Sequence, residues 1–256
     1  MITYIRCMAL PSPLRRAALT AAAASVAAAL LPAASASAVV HGREVSAARY
    51  PWLGSVGSPF FFVRPAGQFC GGALTAPDKV LTAAHCVASV RSLPAVLRVT
   101  FGRSDLRGKD GETVGVKSVW VDPRYHESRF RTEAVQHHDV AVLTLKRRVD
   151  RPTVATGRPG DAATGEVVGW GTTSESDLFN TRLRAASVPL RGDAACVAAY
   201  GSSYDASDML CAGSPDGDTC QFDSGGPLLV NGRIVALTSW AYGCARRGYP
   251  GVYARV

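Results

Sequence analysis

Apolar and polar side chains alternate along Leu97-Arg-Val-Thr-Phe101, the two-residue period of a strand with one buried face. Val140-Ala-Val-Leu-Thr-Leu145 is an almost continuous apolar run and reads as a buried strand. Asn231-Gly232 lies between two apolar arms within Leu228–Leu237, and this pair favours the positive φ angles of a two-residue turn, so the segment predicts a β-hairpin. Gly and Pro punctuate the chain at short intervals, no stretch carries a convincing amphipathic helix period, and no internal repeat occurs. The pattern predicts an all-β protein built from barrels or sandwiches. Lys146–Gly165 is polar, contains Pro152 and Pro159 and lacks a strand pattern, which makes it the expected linker between two halves.

The first 38 residues follow another rule. Arg6, Arg15 and Arg16 form a basic leader, Ala17–Leu31 is an apolar run, and Ala36-Ser37-Ala38 is a small-residue cleavage site. The run is shorter than the roughly 20 residues that cross a bilayer, so a secretory signal peptide cut after Ala38 is expected rather than a membrane anchor. Arg15-Arg16 also permits twin-arginine export, although its flanks match that signal poorly. Removing the leader takes three of the 28 basic residues, leaving 25 against 20 acidic ones and a net charge of +5. That excess suits solubility and mild attraction to acidic surfaces. Without a basic run or interleaved aromatics, it does not point to nucleic acid.

Cys7 falls in the leader, and the other six of the seven cysteines are Cys70, Cys86, Cys196, Cys211, Cys220 and Cys244. An even number in an exported chain implies disulfides, with about 15 pairings open to six cysteines. No CxxC spacing occurs and no histidine stands at ligand spacing from a cysteine pair, which argues against zinc.

The chemistry concentrates in Asp218-Thr-Cys-Gln-Phe-Asp-Ser-Gly-Gly-Pro227. Here Ser224 has a tight Gly-rich setting in which backbone N–H groups can converge on a reacting carbonyl. A serine hydroxyl needs an adjacent base, usually a histidine held by a carboxylate. Leu81-Thr-Ala-Ala-His85-Cys86 offers the histidine at the end of an apolar strand. His137-His138-Asp139-Val-Ala-Val offers a carboxylate at the mouth of a buried one.

Together these segments resemble the chymotrypsin/trypsin family of secreted serine endopeptidases. The resemblance runs from Val39 to Val256. It includes Cys70-Gly-Gly-Ala-Leu74, Gly169-Trp-Gly171, Met209-Leu-Cys-Ala-Gly213, Ser239-Trp240 and Tyr249-Pro-Gly-Val-Tyr253. The α/β-hydrolase alternative fails because Phe222 breaks its G-x-S-x-G elbow and because the order here is His, Asp, Ser. The resemblance implies two packed antiparallel six-stranded β-barrels, at about 39–145 and about 166–256, joined by the linker at about 146–165. It implies a His85–Asp139–Ser224 triad, an oxyanion hole from the backbone N–H groups of Phe222 and Ser224, and pairings Cys70–Cys86, Cys196–Cys211 and Cys220–Cys244.

Asp218 takes the family's position at the floor of the primary pocket, where a carboxylate selects Arg or Lys. Gly251 leaves that pocket open, and Ser239, Trp240 and Ala241 form the strand edge for extended substrate. Val39 resembles the family's freed N-terminus, whose ammonium pairs with the acid before the nucleophile, here Asp223. Because Ala38 precedes it, signal peptidase would release the active form without a zymogen stage. The implied partners are protein or peptide substrates with Arg or Lys, together with protein protease inhibitors. The implied state is a secreted monomer without cofactor or metal. Arg103 stands where calcium-binding relatives place a carboxylate.

Three departures from the family pattern stand out. Phe222 replaces a near-invariant Gly, so the oxyanion donor is either lost, at roughly 10²–10³ in turnover, or kept with the ring crowding the leaving-group side. Ala241 replaces another Gly. The sequence stops at Val256, where relatives continue into a C-terminal helix. The first and last of these motivate a second reading, a protease-fold protein that binds basic peptides with little turnover.

Overall fold

The computed structural model describes residues 39–177 and 179–256, and the expected leader at 1–38 lies outside the described residues. Val39–Glu44 comes first among the described residues but joins the second half of the fold. Its strand β1 (Arg43–Glu44) pairs with a strand of the second barrel, and Val39 is buried in that barrel's core.

The first barrel is built from β2 (Leu53–Gly57), β3 (Gln68–Ala76), β4 (Lys79–Thr82), β5 (Arg98–Phe101) and β6 (Glu112–Val121). A two-stranded excursion follows, β7 (His126–Phe130) and β8 (Glu133–His137), before β9 (Ala141–Leu145) closes the barrel in the order β2-β3-β4-β9-β6-β5. Along β9, Ala141, Leu143 and Leu145 point into the core with Val56, Leu74 and Phe101. Val140 and Val142 pack instead on the cluster between the barrels. Both faces of the strand are therefore covered, which is why its sequence is a run rather than an alternation.

The second barrel comprises β10 (Thr164–Gly169), β11 (Arg184–Arg191), β12 (Met209–Ala212), β13 (Pro227–Val230), β14 (Arg233–Trp240) and β15 (Gly251–Arg255). The β11–β12 pairing closes it. The predicted hairpin is β13–β14, with Asn231 at φ 51° and Gly232 at φ 71°. The expected linker segment runs between β9 and β10. It is tacked to β14 by a Thr156–Ile234 bridge, and its last two residues open β10.

Two elements had no clear signal in the hydrophobic pattern. The helix α1 (Asp193–Tyr200) buries only Cys196 and Tyr200, one turn apart, which is too little for a recognisable period. It stops at Gly201, whose φ of 58° suits glycine. The β7–β8 hairpin is half-exposed and held by its tip. There Phe130 packs edge-on against Tyr200 and Tyr242, and the Arg131 guanidinium lies over the Phe130, Tyr242 and Tyr249 rings.

The three disulfides are Cys70–Cys86, Cys196–Cys211 and Cys220–Cys244, as the resemblance implies. Closing loops of this length contributes about 3 kcal/mol each.

Between the barrels lies a shared apolar layer. Leu53, Ala73, Leu81 and Leu106 from the first half meet Val168, Trp170, Leu183, Ile234 and Leu237 from the second. Unfolding one barrel would expose this layer on the other, so the two are expected to unfold together. Ile234→Ala, at a fully buried position in this layer, should lower the unfolding free energy by about 2–5 kcal/mol while keeping a single urea transition. Two separated transitions would contradict a shared core.

Candidate active site

His85 follows β4, and the Cys70–Cys86 disulfide ties its turn back to β3. Asp139 lies between β8 and β9, just after His138, whose φ of 49° turns the chain. The Asp139 carboxylate is fully buried. Its Oδ1 accepts the His85 backbone N–H at 2.8 Å, and its Oδ2 meets His85 Nδ1 at 2.7 Å. Ser239 Oγ donates to the same Oδ2 at 2.6 Å.

Burial alone would raise the Asp139 carboxyl and lower His85. Their mutual attraction and hydrogen bonds outweigh it, holding Asp139 below its ordinary value and His85 above. With Nδ1–H given to Asp139, Nε2 is the ring's free base. Nε2 stands 3.7 Å from Cys86 Sγ, and among the described residues no hydrogen bond joins it to Ser224 Oγ. Such bonds tighten when substrate is present. The grouping of Cys70, Cys86 and His85 is accounted for by the disulfide beside the histidine.

Ser224 is held through its backbone. Its carbonyl accepts from Gly71 N at 2.8 Å, and the next residue, Gly225, donates to Thr238 O at 2.8 Å. Gly225 has φ 72°, and a β-carbon there would lie 2.3 Å from Thr82 Oγ1 and 2.7 Å from Gly71 O. No larger residue fits.

Phe222 also adopts the left-handed region, at φ 71°. For a residue with a β-carbon this costs about 1–2 kcal/mol. Thr172 N donates to Gln221 O at 2.9 Å. A trans peptide points its N–H opposite to its C=O, so this bond aims the Phe222 N–H away from Thr172. Among the described residues, neither the Phe222 nor the Ser224 N–H donates to a protein acceptor. Two unspent donors on either side of Asp223 can receive one anionic oxygen. The conformation at Phe222 is thus the left-handed one that a glycine adopts freely. Gln68 Nε2 donates to Phe222 O at 2.9 Å, and the Arg64 guanidinium lies over the Phe222 ring, 4.4 Å from its centre.

Beside Ser224 opens a cavity of about 580 Å³ between Thr219–Gln221 and Thr238–Cys244, two walls joined by the Cys220–Cys244 disulfide. Trp240 and Ala241 are on its wall, as are Glu175 and Arg246. Asp218 and Gly251, expected at this pocket, are not among the residues that line it; Asp218 adjoins the lining residue Thr219. Asp218 is fully buried, accepting Thr219 N at 2.8 Å and Ala245 N at 3.0 Å. A β-carbon at Gly213 or Gly251 would come within 2.7 Å of its Oδ1, so both glycines leave room for the carboxylate. Among the described residues no cation pairs with it. Burial, reinforced by the charge of Asp223, pushes the Asp218 carboxyl up to about 7 despite the two N–H donors.

Asp223 is buried as well and sits at about 6. Burial raises it, while hydrogen bonds from Cys220 N and Gly171 N and the charge of Arg64 pull it back. Val39 is packed among Val167, Val188 and Leu228, and Val40 N donates to Asp218 O at 2.8 Å. With the Ala38–Val39 peptide bond intact, no hydrogen bond joins Val39 to Asp223 among the described residues.

The Ser239 side chain serves Asp139, a role beyond the strand edge expected of it. Arg64, Gln68 and Thr172 had no sequence signal. Arg64 and Gln68 meet Phe222, and Thr172 the carbonyl of Gln221, from segments that only the fold brings near.

Residues 39–256 match the family model described as Trypsin. A trypsin of Saccharopolyspora erythraea is 41% identical over 226 residues, covering 85% of this chain and 93% of its own. Trypsin 5G1 of Aedes aegypti is 37% identical over 236 residues, covering 87% and 82%. Trypsin-1 of Gadus morhua is 36% identical over 193 residues, covering 74% and 77%.

A carboxyl raised by burial favours the folded state only while it is protonated. The Asp218 contribution is therefore greatest below its ordinary value near 3.8 and is lost as pH rises through about 7. Charging it without a cation costs on the order of 4 kcal/mol, at about 1.36 kcal/mol per tenfold. Asp218→Asn should remove this loss. Urea midpoints measured from pH 4.5 to 8 in a Ser224→Ala background should fall less with pH in the Asn variant. Parallel curves would contradict a charge buried without a partner.

Proposed function

The chain belongs to the trypsin family and is a serine endopeptidase, and from that premise we propose that it cleaves peptide bonds after Arg or Lys through His85, Asp139 and Ser224. The observation that carries this reading is Asp218, a buried carboxylate with two backbone donors and, among the described residues, no cation, next to Thr219, which lines the same cavity as Ser224. A guanidinium or ammonium entering the cavity supplies the missing countercharge, and the carboxylate then ionises fully. A neutral side chain leaves it without that partner.

With the basic side chain seated, substrate backbone runs along the strand edge at Ser239, Trp240 and Ala241. Ser224 Oγ attacks the carbonyl carbon while His85 Nε2 takes its proton. Asp139, held by Ser239 Oγ and His85 N, stabilises the imidazolium and fixes its orientation. The carbonyl oxygen becomes an oxyanion and accepts the N–H groups of Phe222 and Ser224. His85 then gives its proton to the leaving amine as the C–N bond breaks, leaving an acyl-enzyme. Water repeats the sequence in reverse roles and frees the acid.

Secretion with cleavage after Ala38 would turn the Val39 amide into an ammonium. Val39 is already buried in the second barrel, and the new charge would answer Asp223, whose carboxyl now stands at about 6. We extend the reading to a secreted monomer that acts on protein or peptide substrates and meets protein protease inhibitors as competitors. The second reading, a binding protein with little turnover, is not favoured: the free donors at Phe222 and Ser224 speak for a working site.

Purified mature protein should turn over an Arg-containing amide, with Ser224→Ala as the control. Activity no higher than that control sinks the proposal. Asp218→Ser should erase the preference for Arg and Lys over apolar residues while leaving His85 and Ser224 in place.

The pH profile should be bell-shaped. Neutral His85 is the active form and its pKa is raised, so the acid limb lies above the roughly 6.5 of an ordinary histidine. The alkaline limb follows loss of the Val39 ammonium, near 8 in an unperturbed α-amino group and higher when paired with Asp223. N-terminal sequencing that finds a start well before Val39 would overturn the processing step.

A further inference from the structure

Arg64 is an unusual residue to find inside this protein. It precedes the turn Pro65–Gly67 and is only 4% exposed. One nitrogen, Nη2, donates to Trp170 O at 2.7 Å and to Asn180 O. Its Nε and Nη1 are buried without a hydrogen-bond partner. Burying a cation with unanswered donors is costly, so its remaining contacts indicate its use. Those contacts are the face of the Phe222 ring at 4.4 Å and the charges of Asp223 and Asp177.

Phe222 is the residue in this loop that most needs support. It is left-handed at φ 71° and carries a bulky side chain where a glycine would be at ease. Both peptides around it are pinned, one through Gln221 O by Thr172 N and the other through Phe222 O by Gln68 Nε2. Each of those peptide planes is held by a single hydrogen bond, against a conformation that costs a residue with a β-carbon about 1–2 kcal/mol, and the ring is the third point at which the residue can be held. A planar cation stacked on the ring supplies that third hold. Because Nη2 is tied to Trp170 O and Asn180 O, the cation is itself anchored.

We propose that Arg64 is a positioning residue that clamps the Phe222 ring and so keeps the Phe222 N–H aimed at the oxyanion. This rests on the reading of Ser224 as nucleophile and of the Phe222 and Ser224 N–H groups as the oxyanion donors. Phe222 and Arg64 then form a matched pair: the aromatic is tolerable because of the arginine, and the arginine is needed because of the aromatic. With glycine at 222 the clamp has nothing to hold.

The test is a double-mutant cycle on the mature enzyme. Arg64→Met keeps length and apolar contact but removes the planar charge. In the Phe222 enzyme it should lower kcat for an Arg amide by about 10–30-fold, short of the roughly 10²–10³ for losing a donor outright, with KM changed less than about twofold. In a Phe222→Gly background the same substitution should lower kcat by less than about threefold. Arg64→Lys, which keeps charge without a stacking plane, should fall between wild type and Arg64→Met in the Phe222 background. It also serves if Arg64→Met does not fold.

Ligand binding separates aim from general disorder. An arginine aldehyde, which forms a tetrahedral adduct on Ser224, should bind about tenfold more weakly to the Arg64 variants. An arylamidine that fills only the Asp218 pocket should bind as it does to wild type. Equal losses of kcat in both backgrounds, or equal weakening of both ligands, would overturn the proposal and leave Arg64 as a tether between loops. No loss in the Phe222 background would overturn it too. A wild-type enzyme that fails to exceed the Ser224→Ala control refutes instead the reading on which the proposal rests.

Discussion

The two barrels meet backbone to backbone where Gly71 N donates to Ser224 O, and this contact sets the distance between groups from opposite halves. His85 is carried by the first barrel and Ser224 by the second, so nothing within either barrel can register them. The contact needs bare backbone on both sides. A β-carbon at Gly71 would lie 3.0 Å from the Gly226 α-carbon, and one at Gly225 would strike Thr82 Oγ1. Thr82 Oγ1 in turn donates to Gly71 O at 2.7 Å, locking the first barrel's side of the joint. The apolar layer around Ile234 and Leu53 supplies the adhesion, while the glycines supply the register.

Around that joint lie three buried carboxylates that differ in how their charge is met. Asp139 has a histidine and a serine and is held ionised. Asp223 has two backbone donors and the charge of Arg64 nearby, and stands in between. Asp218 has two backbone donors only and is the most perturbed. The gradient runs from a carboxylate with a histidine and a hydroxyl as partners to one with backbone donors alone. A buried charge without a counterion is expensive, so the carboxyl rises as its partners thin out.

Much of this was legible in the sequence because short motifs carry it. The Asn231-Gly232 turn, the run at Val140–Leu145, three cysteine pairs and the candidate residues His85, Asp139 and Ser224 all have local signatures, the pairs and the candidate triad through the family resemblance. What was not legible depends on distant segments meeting. The β7–β8 hairpin rests on its tip, where Phe130 finds Tyr200 and Tyr242, more than 60 residues downstream. Residues 39–44 join the second barrel through β11, far along the chain. Ser239 faces Asp139 across 100 residues, and Gln68 reaches Phe222 across 154. Periodicity and turn chemistry act over about ten residues, so such contacts leave no trace in them.

Phe222 shows how far a local rule extends. Sequence reasoning sets glycine's freedom against the steric cost of a β-carbon and leaves the outcome open. The answer lies in Thr172, Gln68 and Arg64, none of which belongs to the nucleophile loop. Glycine takes a left-handed conformation because it resists none. Phe222 takes it with partners on both flanking carbonyls and a cation over its ring. The first arrangement is a property of one residue, whereas the second depends on Arg64, Gln68 and Thr172 from elsewhere in the chain. In exchange the loop carries an aromatic ring under a buried cation that also lies near Asp223, a pairing that a glycine could not have organised.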